Sequence, residues 1–280
     1  MILGLVAGSA CAHKDTAPAL ATPRLSFAKA QVQVGSPVDV TYQFDVAPNA
    51  TFDADYHVLV HVEDVDGTTL WIDDFDPPTP TSQWKPGEHV EFTRTRFIPT
   101  FLELGDVTVR LGLYRGDVRL PLAGTDVKQR TYKVATLRLL AAPEELALTY
   151  KSGWNNLEVD QRNPASEWRW SQQSGLVSLK NPHRDATLYV EYGSDPQAFD
   201  HPQQVTLWVG TQQIATFAAD HADTQLMRFP VPAAAFGSSA TSELHIDVDR
   251  TFVPARLPGS TSHDVRMLGL RVFHLYVEPK

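Results

Sequence analysis

A single cysteine, Cys11, stands in 280 residues, so no disulfide can staple any part of the chain and the fold must rest on packing. Beyond the first few residues no run approaches the roughly 18 apolar residues that a membrane-spanning helix requires. Basic charge is scarce as well. Twenty-four Lys+Arg stand against 33 Asp+Glu, the excess of carboxylates holds in both halves, and no basic stripe is present to neutralise phosphates. That excludes nucleic acid as a natural partner. Catalytic signatures are missing too: there is no Gly-x-Ser-x-Gly elbow, no HExxH pair and no phosphate loop. Asp247 and Asp249 share one strand face, whereas glycosidic cleavage needs two carboxyls about 5–9.5 Å apart across a cleft. The expectation is a protein without catalytic activity and without a cofactor.

What is present is a globular composition, 42% hydrophobic and 10% aromatic, in a chain long enough for two domains. Residues 24–140 read as strands throughout. Val38–Val46 alternates apolar and polar side chains, the period of a half-buried strand. Tyr56–Val65 is a second strand, turned by Asp66-Gly67 into Thr68–Asp73. His89–Phe97, Val107–Tyr114 and Gln129–Leu139 follow between Pro- and Gly-bearing turns. Short, evenly spaced strands without a helix predict a β-sandwich of immunoglobulin type. Trp84 is expected to plug one end of it and Tyr114 to pack in its core. Asp64, Asp66, Asp73, Asp74 and Asp76 crowd one hairpin and its exit. Two readings are open there: a solvated turn, or oxygen ligands for Ca²⁺ from Asp64, Asp66 and Asp73. His57 and His61 share a strand face with no third metal ligand placed by spacing.

Leu140 to Pro143 is a short connection, with residues 141–143 as the linker, after which residues 144–280 change style. Strands are expected at Leu176–Leu179, Ala186–Tyr192, Val205–Val209, Gln213–Phe217, Gln225–Phe229, Glu243–Val248 and Leu268–Val277. Gly210-Thr211-Gln212 marks a hairpin, and Pro230 and Pro232 are placed at or past a strand end. A second antiparallel sandwich, of jelly-roll kind, fits this spacing.

The N-terminus carries a resemblance. An apolar run ends in Gly8-Ser9-Ala10 directly before Cys11, which resembles the lipobox of bacterial lipoproteins. It implies a signal peptide over 1–10, lipid on Cys11 and a membrane reached through it. The Ala-, Pro- and Thr-rich stretch 11–23 then reads as a flexible tether. A signal peptide opens on basic residues and none stands here, so the leader is expected to begin upstream of Met1. The other reading is a short apolar terminus ahead of an incidental thiol.

Two further resemblances lie in the folded part. The V-H-x-x-D-x-D-G hairpin from Val60, the acidic strand after it, P-T-x-x-W-x-P-G-E ending at Glu88, and the late G-L-Y and R-L-P of 112–121 resemble an extracytoplasmic sandwich domain. That domain accompanies bacterial membrane glycosyltransferases of mannosyltransferase type. Gly153-Trp154, Glu158, Trp168-Arg169-Trp170, Asp249 to Pro254 and Asp264 to Val272 resemble a galactose-binding-like module from envelope polysaccharide loci. The resemblances imply an accessory envelope protein associated with glycans, with no catalytic residue to carry over.

Trp168 and Trp170 are two apart, so on a strand they share a face. With Trp154 they suit a platform for sugar rings, with Arg169, Asp264 and Arg266 as hydrogen-bonding partners. The same tryptophans equally suit a core, and Asp264 and Arg266 equally suit a simple pair. The function expected is non-catalytic binding of a glycan or another envelope component by an envelope lipoprotein, as an accessory to polysaccharide synthesis, export or attachment; the alternatives are a structural or assembly lipoprotein that binds protein partners, and a hydrolase with an unrecognised site.

Overall fold

The computed structural model describes residues 17–100, 102–124, 127–142, 147–161 and 166–280. The leader over 1–10 and Cys11 lie outside the described residues. No helix among those residues is long and apolar enough to cross a membrane. The described chain is all β, with four short 3-10 turns besides. By internal contacts it divides into two compact units. One holds Asp39–Arg94 and Gly105–Arg138; the other holds Leu139–Lys280 with Gln31–Val38 and Thr95–Leu104.

The first ten strands are β1 Ala21–Phe27, β2 Gln31–Gln33, β3 Pro37–Val46, β4 His57–Glu63, β5 Thr69–Ile72, β6 His89–Phe97, β7 Gly105–Arg115, β8 Val118–Arg119, β9 Val127–Lys128 and β10 Thr131–Leu140. They form a three-stranded sheet, β1-β3-β6, and a larger sheet, β2-β10-β7-β4-β5, with β8 on β7 and β9 on β10. The alternation read in β3 is its burial pattern: Val40, Tyr42, Phe44 and Val46 are buried and the residues between them are not. From the larger sheet Val58, Val60, Val62, Val109, Leu111 and Leu113 are buried. Trp84 is buried too, its ring 5.0 Å from Phe44 and 5.4 Å from Phe52. Its indole Nε1 donates to the Thr79 carbonyl at 2.9 Å, which satisfies the one polar atom it brings inside.

One correction concerns the tether. Strand pairing begins inside it, at Ala21, which is 2% exposed and sits opposite Val46 in β3. Pro23 falls in this strand, and it is tolerated because β1 is an edge with no further strand waiting for the missing amide.

The remaining strands, all in the second unit, are β11 Leu148–Tyr150, β12 Glu158–Val159, β13 Glu167–Trp170, β14 Ser174–Lys180, β15 Ala186–Gly193, β16 Gln203–Val209, β17 Gln212–Ala219, β18 Gln225–Val231, β19 Thr241–Val248 and β20 Arg271–Pro279. Two five-stranded sheets, β11-β14-β19-β16-β17 and β12-β13-β20-β15-β18, enclose one apolar core. Val177, Leu188, Val190, Val205, Leu207, Leu244, Ile246 and Val272 form its centre. Gly210-Thr211 turns the β16–β17 hairpin, with Val209 opposite Gln212. Pro230 lies inside β18 rather than past its end, again on an edge strand.

Candidate functional site

Trp168 and Trp170 do share a face of β13, and that face is the outer one of its sheet. Their neighbour Arg169 points the other way, its guanidinium 4.9 Å over the Tyr150 ring. Burial pushes that Tyr150 phenol up to about 12. On the outer face Trp170 and Phe252 meet edge to face at 5.7 Å, and with Leu268 they form a small core of their own, against which Trp168, Phe199 and Leu257 pack. Two antiparallel partners complete the face. Trp170 sits opposite Arg271 in β20, and Glu158 in β12 sits opposite Trp168.

The result is a guanidinium ringed by aromatics. Arg271 Cζ lies 5.9 Å from the Trp168 ring, 5.6 Å from Trp170 and 5.1 Å from Phe273, inside cation–π range. Close approach on the other side requires Gly193, where a Cβ would come within 2.9 Å of the Arg271 Nη2. Burial pulls the Arg271 pKa down, and only the fields of Asp195 and Glu158 oppose this. Arg271 Nε and Trp168 Nε1 are buried donors without a hydrogen-bond partner among the described residues. Each such donor costs about 1–3 kcal/mol when left unmade.

Beside this ring lies an ionic chain. Arg266 donates from Nη2 to Asp264 at 2.6 Å and from Nη1 to Glu158 at 2.8 Å. Its hydrogen bonds to Asp264, then to Glu158, hold the Arg266 proton more firmly, and the same guanidinium holds the Asp264 carboxyl below the usual carboxylate range. Asp264 and Arg266 are therefore a pair, with Glu158 as the link to the tryptophan face.

The structure thus brings Trp168, Trp170, Asp264 and Arg266 onto neighbouring segments and leaves out Trp154 and Arg169. Trp154 packs against the main core, 5.0 Å from the Tyr150 ring, and donates from Nε1 to the Leu176 carbonyl. Arg271 and Phe273 escaped the sequence reading, although they stand two apart on a strand as the tryptophans do. Only strand pairing sets Arg271 opposite Trp170 and brings the Phe273 ring to 5.9 Å from Trp168.

The remaining candidates are occupied. Asp64 accepts from the backbone amides of Asp66 and Thr68 at 2.9 and 2.8 Å, a turn closed by its own side chain. Asp74 accepts from the Val60 amide, and Asp73 is buried 3.9 Å from Arg94. No group of three His, Cys, Asp or Glu able to hold a metal occurs among the described residues, so Asp64, Asp66 and Asp73 do not converge. His57 is paired with Asp76. Asp247 accepts from Ser174 Oγ at 2.5 Å, and Asp249 takes the Gln204 amide and Arg250. Tyr114 is only partly buried, on the outer face of β7, and does not enter the core.

No protein-family model matches the chain, and no curated protein matches it. Solved structures are similar at low level. A family 35 carbohydrate-binding module from an environmental isolate shares 13% identity over 48% of this chain and 93% of its own, with a TM-score of 0.31. The N-terminal tandem of family 22 modules of Paenibacillus barcinonensis Xyn10C shares 13% over 89% of this chain and 80% of its own, at 0.28. A Bacteroides uniformis β-glucuronidase shares 10% over 92% of this chain and 30% of its own, at 0.31. Scores this low carry no argument about ligand or activity.

Proposed function

We propose that the chain is a non-catalytic glycan-binding protein of the bacterial envelope, and that the outer face of β13 and β20 takes a sugar. The observation that carries this is the Arg271 guanidinium set among the rings of Trp168, Trp170 and Phe273, with Glu158 opposite Trp168. A sugar suits such a face: hydroxyl oxygens to accept from a guanidinium, and an apolar C–H face to lie against an indole. Glu158 supplies a neighbouring acceptor. The resemblance to envelope polysaccharide modules supports an accessory role in glycan synthesis, export or attachment.

A glycan array followed by calorimetry tests the site. Trp168→Ala and Arg271→Met are expected to weaken binding of the best glycan about tenfold or more, with the fold kept. Unchanged affinity in both variants, or an array on which nothing binds, sinks the reading.

The address proposed is a lipid anchor on Cys11, supported by the small residues that precede it. A doubly acylated or more heavily acylated cysteine gives stable attachment. Cys11→Ser expressed in bacteria is expected to move the protein from the membrane to the soluble fraction. A variant that stays on the membrane ends the lipoprotein reading.

A second reading has its own observation. Leu157, Val159, Val265 and Met267 are 46%, 46%, 78% and 49% exposed, on two segments joined by the Arg266–Glu158 pair and by Asn155 Nδ2 donating to the Met267 carbonyl. Four exposed apolar side chains on two joined segments suit a protein partner.

A further inference from the structure

The outer face of the larger sheet in the first unit carries a cleft of about 640 Å³ that the sequence did not announce. Leu59 and His61 of β4 and Tyr114 of β7 line it. Two hairpin turns wall it. Gly116-Asp117 joins β7 to β8, and Gln129-Arg130 joins β9 to β10, with Lys128 opposite Thr131.

The second turn is strained. Gln129 and Arg130 have φ of +51° and +57°, both in the left-handed region, where a two-residue hairpin ordinarily places Asn-Gly. Non-glycine residues held there cost about 1–3 kcal/mol each and persist only when their surroundings fix them. Here the surroundings do so. Arg119 Nη1 donates to the Gln129 carbonyl at 3.0 Å, Arg130 Nη1 donates to the Arg119 carbonyl at 2.7 Å, and Thr131 Oγ1 donates to the Lys128 carbonyl at 2.7 Å. The turn lies so close to β7 that a Cβ on Gly112 would sit 3.1 Å from the Arg130 carbonyl oxygen. Strain maintained by a dedicated set of bonds, at the rim of a cleft, marks a preorganised wall.

The lining sets the ligand class. Two arginines, Arg119 and Arg130, and two carboxylates, Asp74 and Asp117, are in the lining, so the cleft demands no net charge of its occupant. Burial lowers the His61 pKa, which leaves a neutral ring able both to donate and to accept. Burial, then Asp74, raises the Tyr114 phenol, which stays protonated beside an apolar patch of Leu59 and Val118. Donors and acceptors interleaved around an aromatic ring, in an open cleft of this volume, match a neutral polyhydroxyl compound of one to three rings. We infer that this cleft is a second binding site, for a short neutral saccharide, separate from the tryptophan face of the other unit.

The test titrates the full chain with maltose, cellobiose, mannobiose and lactose at millimolar concentration. Proton NMR follows the His61 imidazole signals, assigned by their loss in His61→Gln. At least one disaccharide is expected to shift them saturably. Val118→Trp, at a position 57% exposed and outside the core, is expected to fill the cleft and weaken that response about tenfold or more. Arg119→Met is expected to weaken it in the same direction without adding bulk. Failure of all four sugars to move the His61 signals overturns the proposal. So does a response that survives Val118→Trp and disappears in Trp168→Ala, since that binding belongs to the other unit and leaves the reading of that face intact.

Discussion

Gly153→Ala is expected to destabilise the second unit by about 4 kcal/mol or more, in the range reserved for gross steric conflict. Gly153 has φ +77°, and a Cβ placed on it would lie 1.7 Å from the Ser174 carbonyl oxygen and 2.8 Å from the Ser174 carbonyl carbon. Neither atom can retreat. The segment is strapped to the start of β14 by the Gln172 amide donating to the Gly153 carbonyl and the Leu176 amide donating to the Ser152 carbonyl. Trp154, next in sequence, lies against Gly175 so tightly that a Cβ there would meet its ring at 2.6 Å. The control is Gly87→Ala, which has the same φ of +77° with nothing within 4 Å of the added carbon. It carries only the conformational penalty, about 1–2 kcal/mol. Denaturant unfolding followed by tryptophan fluorescence compares the two. Equal losses would mean that the 1.7 Å overlap relaxes away, and the close strapping of Gly153-Trp154 would have to be given up.

The first unit has its own sensitive point. Arg110→Ala is expected to cost about 3 kcal/mol or more at neutral pH, because it takes from a buried carboxylate its buried partner and leaves only the half-exposed Lys128. Glu63 and Arg110 both lie on the outer face of the larger sheet, their side chains 5% and 8% exposed, with Arg110 Nε donating to Glu63 at 2.6 Å. Lys128 Nζ adds a second, more exposed contact at 3.1 Å. Burial pushes the Glu63 carboxyl up, but the hydrogen bonds from Arg110 and Lys128 outweigh it and hold the group below its ordinary value. The stability this contributes is present above the unfolded pKa and is lost as pH falls through the folded one. Without Arg110 the Glu63 carboxyl keeps only Lys128 against its burial and its pKa rises, so the variant's deficit should shrink on acidification, as Glu63 takes a proton. A deficit under about 1 kcal/mol at neutral pH would place the pair with exposed ion pairs.

Much of the fold was legible because a half-buried strand advertises its period. β3, β6 and β14 to β19 run within a few residues of where alternation put them. The short strands were not legible. β11, β12 and β13 span two to four residues each, too few to display a period, and β13 is the strand that carries the tryptophans. β1 hid behind its composition: Ala, Thr and Pro over Ala21 to Pro23 read as tether, and only pairing with β3 makes them a strand. The opening of β20 was misread for a related reason. Leu268 is apolar and belongs to the pattern, but it makes an isolated bridge with Phe252 and the strand starts at Arg271.

By itself the sequence determined an all-β chain, the strands long enough to show a period of two, and the fact that Trp168 and Trp170 share a face. It left open which face that is. Alternation says which side chains lie together, but not which side of the sheet meets the opposing one, because that depends on partners far along the chain. Only the tertiary structure set Arg271 opposite Trp170, turned Arg169 toward Tyr150, and drew Glu158 and Arg266 to the rim. The cleft in the first unit has the same origin. Nothing in Gln129-Arg130 announces a left-handed turn; the bonds that hold it come from Arg119 and Thr131 once the hairpins have folded over Gly112.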